Sequence, residues 1–230
     1  MNKELRRVLI GTPSIDGKVD VWFTDSLIES TKLALSNNIN LIPVMLTYDG
    51  ISSMAKNELI YFAYTEEVES LVFIDSNQAW DPSALLEIIN SPHDVIGLPV
   101  TSKTDEPGNF NVNLQNSENL ERDDNGYIKV QSIGMGFLKL SKKALTSLWN
   151  SNPSINFHGK ELKIICEYLT NYNSFLEEDI TLCNKLKELD YDIWVNPNST
   201  CAQTGKKVWM GNYAHFLDYI TSQQPEIIKE

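Results

Sequence analysis

Four short apolar runs punctuate the first hundred residues, at 8–10, 41–46, 71–74 and 95–100. A short unbroken apolar run is what a strand buried on both faces requires, as in a parallel sheet. Between these runs the apolar positions recur at helical spacing. Residues 24–36 set Leu27, Thr31 and Leu35 on one side, with Leu33 and Ala34 nearby, and Asn37-Asn38 stops the pattern. Residues 51–64 predict a second helix with Ser52 or Ser53 as its cap, and residues 82–89 a third. The first run passes into an expected loop at Gly11-Thr12-Pro13. Four strands alternating with three helices predict an α/β fold with a doubly wound, mainly parallel sheet flanked by helices. Right-handed crossovers then bring Thr12, Tyr48, Asp75 and Thr101 to one edge, because each follows a strand. Four loops at one edge make a nucleotide pocket plausible.

The pattern changes after residue 100. Residues 101–126 are polar, rich in Asn, Asp, Glu and Gly, and too long for an ordinary connection. A mobile loop over a site and a loosely ordered excursion both fit. Residues 128–133 and 137–140 predict strands either side of Gly134-Met135-Gly136, and Ser141 caps a helix to Trp149. Residues 151–175 are ambiguous, since 162–169 suit a strand or a helix. Residues 177–189 form a helical pattern with Leu182, Leu186 and Leu189 on one stripe, 192–195 a strand ending at Asn196-Pro197, and 212–222 a last helix. With no repeat or flexible linker, residues 1–230 are expected to be one domain in three parts: 1–100, 101–126 and 127–230.

Composition adds limits rather than a function. The 230 residues are 42% hydrophobic, enough for a sizeable core. No apolar run approaches the roughly 18 residues that cross a bilayer, so no membrane span is expected. The first residues lack the apolar core of an export signal. Cys166, Cys183 and Cys201 have no metal-ligand spacing and read as reduced thiols, which together predict a cytoplasmic location. A net charge of −12 argues against broad capture of nucleic acid.

The chemistry concentrates where the third apolar run ends. Asp75 and Asn77 alternate there, so both can face one ligand in the crevice outside the carboxyl ends of the strands. Their oxygens suit a hard divalent cation and a ribose or phosphate. The simpler reading is that Asp75 and Ser76 turn the chain and Asp81-Pro82 starts a helix. Glu177-Glu178-Asp179 likewise has two readings. Carboxylates are favoured at a helix start by its free N–H groups and dipole, and a carboxylate held at a rim can take a proton from a hydroxyl. Gly134 and Gly136 mark a bulge or a close approach of backbone to ligand. His93, His158 and His215 are scattered and read as structural; Trp209 reads as core or as a ring facing an acceptor. There is no dinucleotide fingerprint, Walker loop or Gly-x-Ser-x-Gly.

In order, these segments resemble a known family. Ile74-Asp75-Ser76-Asn77, then Asp94-Val95-Ile96-Gly97 and Lys103, resemble the Asp-x-Asp region of GT-A fold glycosyltransferases. Ile133-Gly134-Met135-Gly136-Phe137 resembles their G-x-G-F segment, Glu178-Asp179 followed by Cys183 their Glu-Asp motif, and Asp192-Ile193-Trp194-Val195-Asn196-Pro197 the strand after it. Ser53-Met54-Ala55-Lys56-Asn57 is similar to a helix start in which Lys56 replaces Arg. The resemblance spans residues 8–213 and is closest to small, anchorless members of bacteria, large viruses and phages.

The resemblance implies transfer of a sugar from a nucleotide diphosphate sugar, UDP- or GDP-linked, to a hydroxyl acceptor, either a glycan or a modified DNA base. Residues 1–100 would then be the nucleotide-sugar half, 101–126 a variable loop and 127–230 the acceptor and catalytic half. Thr12 and Pro13 would lie by the nucleotide base, Asp75 and Ser76 by the ribose or sugar, and Asn77 by the metal or diphosphate. Lys56, Asn57, Lys103 and Gly136 complete the expected donor site. Asp179 is the expected base of an inverting reaction, with Glu178 as the alternate; in a retaining one the same carboxylates position the acceptor. Two departures concern the metal. Asn77 replaces the second Asp of Asp-x-Asp, and Gln203 replaces a His. Asp75, Asn77 and Gln203 would therefore hold Mn2+ or Mg2+ weakly, or a cation such as Lys56, Lys103, Lys206 or Lys207 would stabilise the diphosphate instead. A non-catalytic sugar or partner binder on the same scaffold is one alternative. A sugar-phosphate nucleotidyltransferase is another, although the glycine-rich phosphate loop expected after its first strand is missing.

Overall fold

The computed structural model describes residues 5–48, 50–103, 109–116, 119–171, 174–205 and 208–222. The first half runs β1 (Arg6–Ser14), α1 (Val21–Ser36), β2 (Ile39–Thr47), α2 (Ser52–Thr65), β3 (Ser70–Ile74), β4 (Gln78–Trp80), α3 (Pro82–Asn90), β5 (Val95–Gly97) and β6 (Val112–Leu114). The second runs β7 (Ile128–Ile133), β8 (Phe137–Ser141), α4 (Lys142–Ser151), β9 (Ser154–Phe157), β10 (Lys160–Lys163), β11 (Leu169–Asn171), β12 (Ser174–Leu176), α5 (Glu178–Glu188), β13 (Ile193–Val195), β14 (Cys201–Thr204), β15 (Val208–Gly211) and α6 (Tyr213–Ser222).

One sheet carries the strands in the order β2-β1-β3-β8-β5-β13-β7-β6. β1 lies parallel to β2 and β3, and β13 parallel to β5. β8 runs antiparallel between β3 and β5, and β7 antiparallel between β13 and β6. All the other strands therefore point one way. The alternation of β1 and β3 supplies two apolar faces. Leu9, Leu71 and Phe73 meet Leu59 of α2, Leu148 of α4 and Leu186 of α5. Val8, Ile10, Val72 and Ile74 meet Phe23 of α1 and Leu85 of α3. The result is a mixed α/β domain whose sheet is covered by helices on both sides.

Three sequence expectations change. The fourth run does not sit beside the third. Phe137, Leu138 and Leu140 of β8 are fully buried, so this two-sided apolar strand takes the central place instead. β5 also stops at Gly97, short of Val100: the Leu98 N–H still bonds the carbonyl of Phe137 (3.0 Å), the first residue of β8, and Val100 bonds Asn111 instead. The ambiguous stretch 151–175 holds two antiparallel hairpins, β9–β10 and β11–β12, not a helix. His158 and Gly159 take positive φ at the first hairpin's turn. Finally, the polar segment 101–126 is no free excursion where it is described. Thr101 bridges Phe110, β6 closes the sheet edge against β7, and Arg122 bridges Ile128. Residues 104–108 and 117–118 lie outside the described residues.

The helix starts follow their caps. Asp20 accepts from the Trp22 N–H, Asp81 from Ser83 with Pro82 in the first turn, and Ser141 from Ala144, so α1 begins earlier than its apolar stripe suggests. Ser52 does not cap α2; its hydroxyl is used elsewhere.

Candidate active site

The chain leaves β1 for β2 on one side and then returns to β3 on the other, which puts a switch point between β1 and β3. Ligands in open α/β sheets bind in the crevice outside the carboxyl ends at such a point. Thr12 and Pro13 were expected in a loop, yet both lie in β1, opposite Met45 and Leu46 of β2. The apolar β2 stays paired past the end of β3 and extends β1 with it. Thr12 is fully buried and its Oγ1 has no hydrogen-bond partner among the described residues. Tyr48 follows β2 and donates its N–H to the Ser14 carbonyl (3.1 Å).

Asp75 ends β3. Its N–H bonds the Gly136 carbonyl (3.0 Å) and its carbonyl accepts from the Gln78 N–H (3.1 Å), so its backbone does turn the chain. Its side chain makes no hydrogen bond among the described residues. A Cβ at residue 136 would lie 3.1 Å from Asp75 Oδ2 and 3.6 Å from Gln78 Nε2. Gly136 therefore lets the β7–β8 turn approach the carboxylate closely. Burial raises the Asp75 pKa; Lys56 opposes this, Asp179 adds to it, Lys103 opposes and Glu178 adds. These four charged groups all act on Asp75, although they come from α2, the segment after β5, and the start of α5. Burial also raises the Tyr48 pKa, with Asp75 adding to the effect. Ser76 lies beside Asp75, and its carbonyl anchors the start of α1 through the Asp20 N–H (2.8 Å).

The start of α5 is joined to α2 by charge. Lys56 is 6% exposed, and its Nζ bonds Glu178 Oε1 and lies 3.4 Å from Asp179 Oδ1. Ser52, one turn before Lys56 on the same helix face, donates to Glu178 Oε1 at 2.7 Å. Asp179 Oδ2 accepts from the Met135 N–H (3.2 Å). Glu177, at the N-cap, makes no side-chain capping bond. Glu178 and Asp179 thus make ion pairs across to α2, beyond any favourable effect at a helix terminus. Burial opposes the charge on Lys56, but Asp179, Asp75 and Glu178 outweigh it and raise its pKa.

Asn57 is next to Lys56 in sequence but points elsewhere. Its Oδ1 accepts from Ile165 (3.1 Å) and Cys166 (2.8 Å), and its Nδ2 donates to the Cys166 carbonyl (2.9 Å). The structure does not bring Asn57 to the crevice; it braces the segment that leads to β11.

Asn77 and Gln203 meet at a three-stranded sheet that periodicity did not reveal, β15-β14-β4. Asn77 Nδ2 donates to the Thr204 carbonyl (3.1 Å), and the Asn77 carbonyl accepts from the Thr204 N–H (2.8 Å). Gln203 pairs with Gln78 and Trp209. A Cβ at residue 205 would lie 2.9 Å from the Trp209 ring and 3.9 Å from Lys103 Cδ, so both stand over Gly205. Lys103 is exposed. Lys206 and Lys207 lie outside the described residues.

This donor set does not fit a divalent cation. No group of three His, Cys, Asp or Glu converges among the described residues. Asp75 is the one carboxylate of the expected trio, Asn77 offers only a neutral Oδ1 while its Nδ2 donates to β14, and Lys56 and Lys103 act on Asp75. Other groups suit a polar ligand. Thr12 Oγ1, Gln78 Nε2, Thr101 Oγ1 and Glu178 Oε2 are buried without a partner among the described residues. Thr12 lies near the carboxyl end of β1, Thr101 follows β5, Gln78 opens β4 three residues after Asp75, and Glu178 faces Lys56. From the sequence Ser52 was read only as a candidate helix cap, and Gln78 was not singled out. The spacing of Ser52 and Lys56 was the one available signal, whereas nothing local marks Gln78.

The fold resembles that of A197 from STIV, with a TM-score of 0.52 and 14% identity over 87% of this chain and 86% of that one. Lower similarity is found to a UDP-glucose pyrophosphorylase complexed with UDP-glucose, with a TM-score of 0.45 and 10% identity over 96% of this chain and 100% of that one. A glycosyltransferase involved in glycosylation of the major capsid of PBCV-1 gives a TM-score of 0.34 and 11% identity over 64% of this chain and 68% of that one. No protein-family model matches the chain, and no curated protein sequence does. At these identities the likeness is one of fold, and function has to be argued from the crevice. Among the described residues no helix is long and apolar enough to cross a membrane.

Proposed function

We propose that the chain is a glycosyltransferase that moves a sugar from a UDP- or GDP-sugar to a hydroxyl acceptor. The observation that carries this reading is the gathering of Asp75, Lys56, Lys103, Glu178 and Asp179 beside the β1–β3 switch point. The nucleotide lies in that crevice. Asp75, fixed against Gly136, accepts hydrogen bonds from ribose or sugar hydroxyls. Lys103, exposed on its flexible stem, meets the leaving diphosphate and neutralises the charge that develops there. Lys56 stays protonated and holds the two carboxylates in place. Glu178, with a side chain 6% exposed, is occupied by Lys56 and Ser52. Asp179 is 27% exposed and keeps one oxygen toward Lys56 and one toward Met135. That makes Asp179 the group able to take the acceptor's proton. No step here needs a metal.

A thermal-shift screen of UDP-, GDP-, CMP- and dTDP-sugars tests the reading, each with Mn2+, Mg2+ or EDTA. A ligand that binds the folded chain raises its melting temperature. A UDP- or GDP-sugar should do so in EDTA, and transfer should persist with chelator present. Transfer that vanishes in EDTA and returns with micromolar Mn2+ would show that Asp75, Asn77 and Gln203 hold a metal after all. No shift with any nucleotide sugar ends the proposal. The non-catalytic alternative draws on Asn77 being bound to β14 and on both carboxylates being ion-paired; it predicts donor binding with no turnover.

A further inference from the structure

We propose that Tyr168 and Phe175 form the acceptor platform, a stacking wall for the pyranose ring of a neutral saccharide; this rests on reading Glu178-Asp179 as the catalytic end of the crevice. The rings lie 5.6 Å apart at 18°, and the residues are 43% and 60% exposed. Single exposed apolar residues are ordinary. Two parallel exposed rings joined to a buried charge cluster are a different matter. Tyr168 Oη and Ser52 Oγ are 3.2 Å apart, and Ser52 Oγ donates to Glu178 Oε1 at 2.7 Å. Phe175 stands in β12, which leads through Glu177 into α5 and its carboxylates. The wall is therefore joined to the Glu178-Asp179 end of the crevice by hydrogen bonds through Ser52 and by the chain through Glu177.

The wall is also braced from beneath. Asn57 holds the backbone of Ile165 and Cys166, and Lys185 Nζ donates to the Ile164 (2.8 Å) and Ile165 (3.0 Å) carbonyls. A stacking surface set in advance binds without first having to order itself. Its charge surroundings select the occupant. Glu167 is paired with Lys185, but Glu178 and Asp179 share Lys56, so the charge behind the rings is net negative and disfavours an anionic occupant. An uncharged ring with an apolar face fits that setting. A nucleic acid would bring phosphates to a chain of net charge −12. The donor's base belongs in the β1–β3 crevice, whereas Tyr168 is tied to the α2–α5 end.

The experiment probes an array of neutral oligosaccharides with the intact chain as wild type, Phe175→Ala, Phe175→Leu and Phe175→Trp. Acceptor kinetics with UDP- and GDP-sugars are measured alongside. The wild type should retain glycans, and Phe175→Ala should weaken them about tenfold, the scale of one lost ring contact. Acceptor KM should rise by the same factor with kcat little changed. Phe175→Trp should restore both, and donor affinity by calorimetry should be equal in all variants. Phe175→Leu keeps bulk without the ring and carries the test should the alanine variant unfold. Glycan affinity and acceptor KM indifferent to Phe175 overturn the platform. Phe175-dependent transfer to hydroxymethylated DNA, with no glycan retained, overturns the saccharide. Ring-dependent glycan binding in a chain that binds no nucleotide sugar keeps the platform and ends the transferase reading; sugar transfer indifferent to Phe175 does the reverse.

Discussion

Glu178 and Asp179 are neighbours in sequence, and their surroundings give them separate work. Glu178 Oε1 receives Lys56 and Ser52 while Oε2 is buried without a partner among the described residues. Asp179 keeps contact with solvent. Asp179→Asn retains shape and the Met135 contact but cannot accept a proton. We expect near-normal donor binding and transfer reduced at least ~10²-fold, as loss of a general base typically does. Glu178→Gln with the dead phenotype, and an active Asp179→Asn, would reverse the roles. Lys56 offers a stability test of the same cluster. Lys56→Met leaves Glu178 as an uncompensated buried charge, which typically costs about 3–5 kcal/mol. Urea unfolding should show a loss on that scale, and adding Glu178→Gln should recover much of it. If the single variant unfolds like the wild type, the ion pair contributes nothing. Asp179 was legible as a candidate from its place at a helix start, and Lys56 from the resemblance of its segment to a known helix start. Their pairing was not, since 123 residues separate them.

At the scale of elements, two glycines distinguish architecture from site. Gly97 ends β5 against β8, and a Cβ there would lie 2.4 Å from the Phe137 carbonyl. Backbone cannot yield as a side chain does, so Gly97→Ala should part the two strands and destabilise by about 1–3 kcal/mol. The Cβ of Gly136→Ala would lie 3.1 Å from a carboxylate oxygen of Asp75. Here the side chain can shift, so the melting temperature should hardly move while donor affinity falls. Calorimetry with UDP and GDP, beside thermal melts of both variants, checks the contrast. Equal loss of stability in the two would show that Gly136 serves the fold alone. Strand and helix positions were mostly readable because apolar runs and caps are local signals. β4, β14 and β15 were not, since their three-residue to four-residue lengths leave too few positions for a period to show.

Across the whole molecule, stability should carry a pH signature from a lysine far from the crevice. Lys139 sits in the central strand β8, 4% exposed, with Nζ donating to the Ser91 carbonyl at 2.9 Å. Burial pushes its pKa down from 10.5 to about 8; Asp94 pulls it up, Arg6 down and Glu69 up. Below pH 8 folded and unfolded chains both carry the proton, and the fold bears the cost of a buried ammonium. Between about 8 and 10.5 the unfolded chain holds more protons, so this group's contribution rises with pH. Across that window the change is about 3 kcal/mol. Lys139→Met should be more stable than wild type at pH 7, and the difference should shrink by that amount by pH 10.5. Cys166, Cys183 and Cys201, whose thiol pKa values are raised by burial, titrate alike in both proteins and cancel. Urea unfolding across the range measures it; a pH-independent difference would falsify the assignment.

The amino-acid sequence by itself determined the alternation of apolar runs and amphipathic stretches, hence an α/β fold with a crevice at the carboxyl ends of its strands. It also marked Asp75, Glu178 and Asp179, because a carboxylate placed just after a run or at a helix start is visible in one dimension. Only the tertiary structure decided that β8 divides the expected parallel run, since a strand's place is set by which two apolar faces it can fill. Only it turned Asn57 away from the crevice toward residues 165–166, tied Asn77 to β14, and set Tyr168 and Phe175 beside each other. Those outcomes depend on contacts between distant segments, and such contacts form only when the hydrophobic faces pack and bring those segments together.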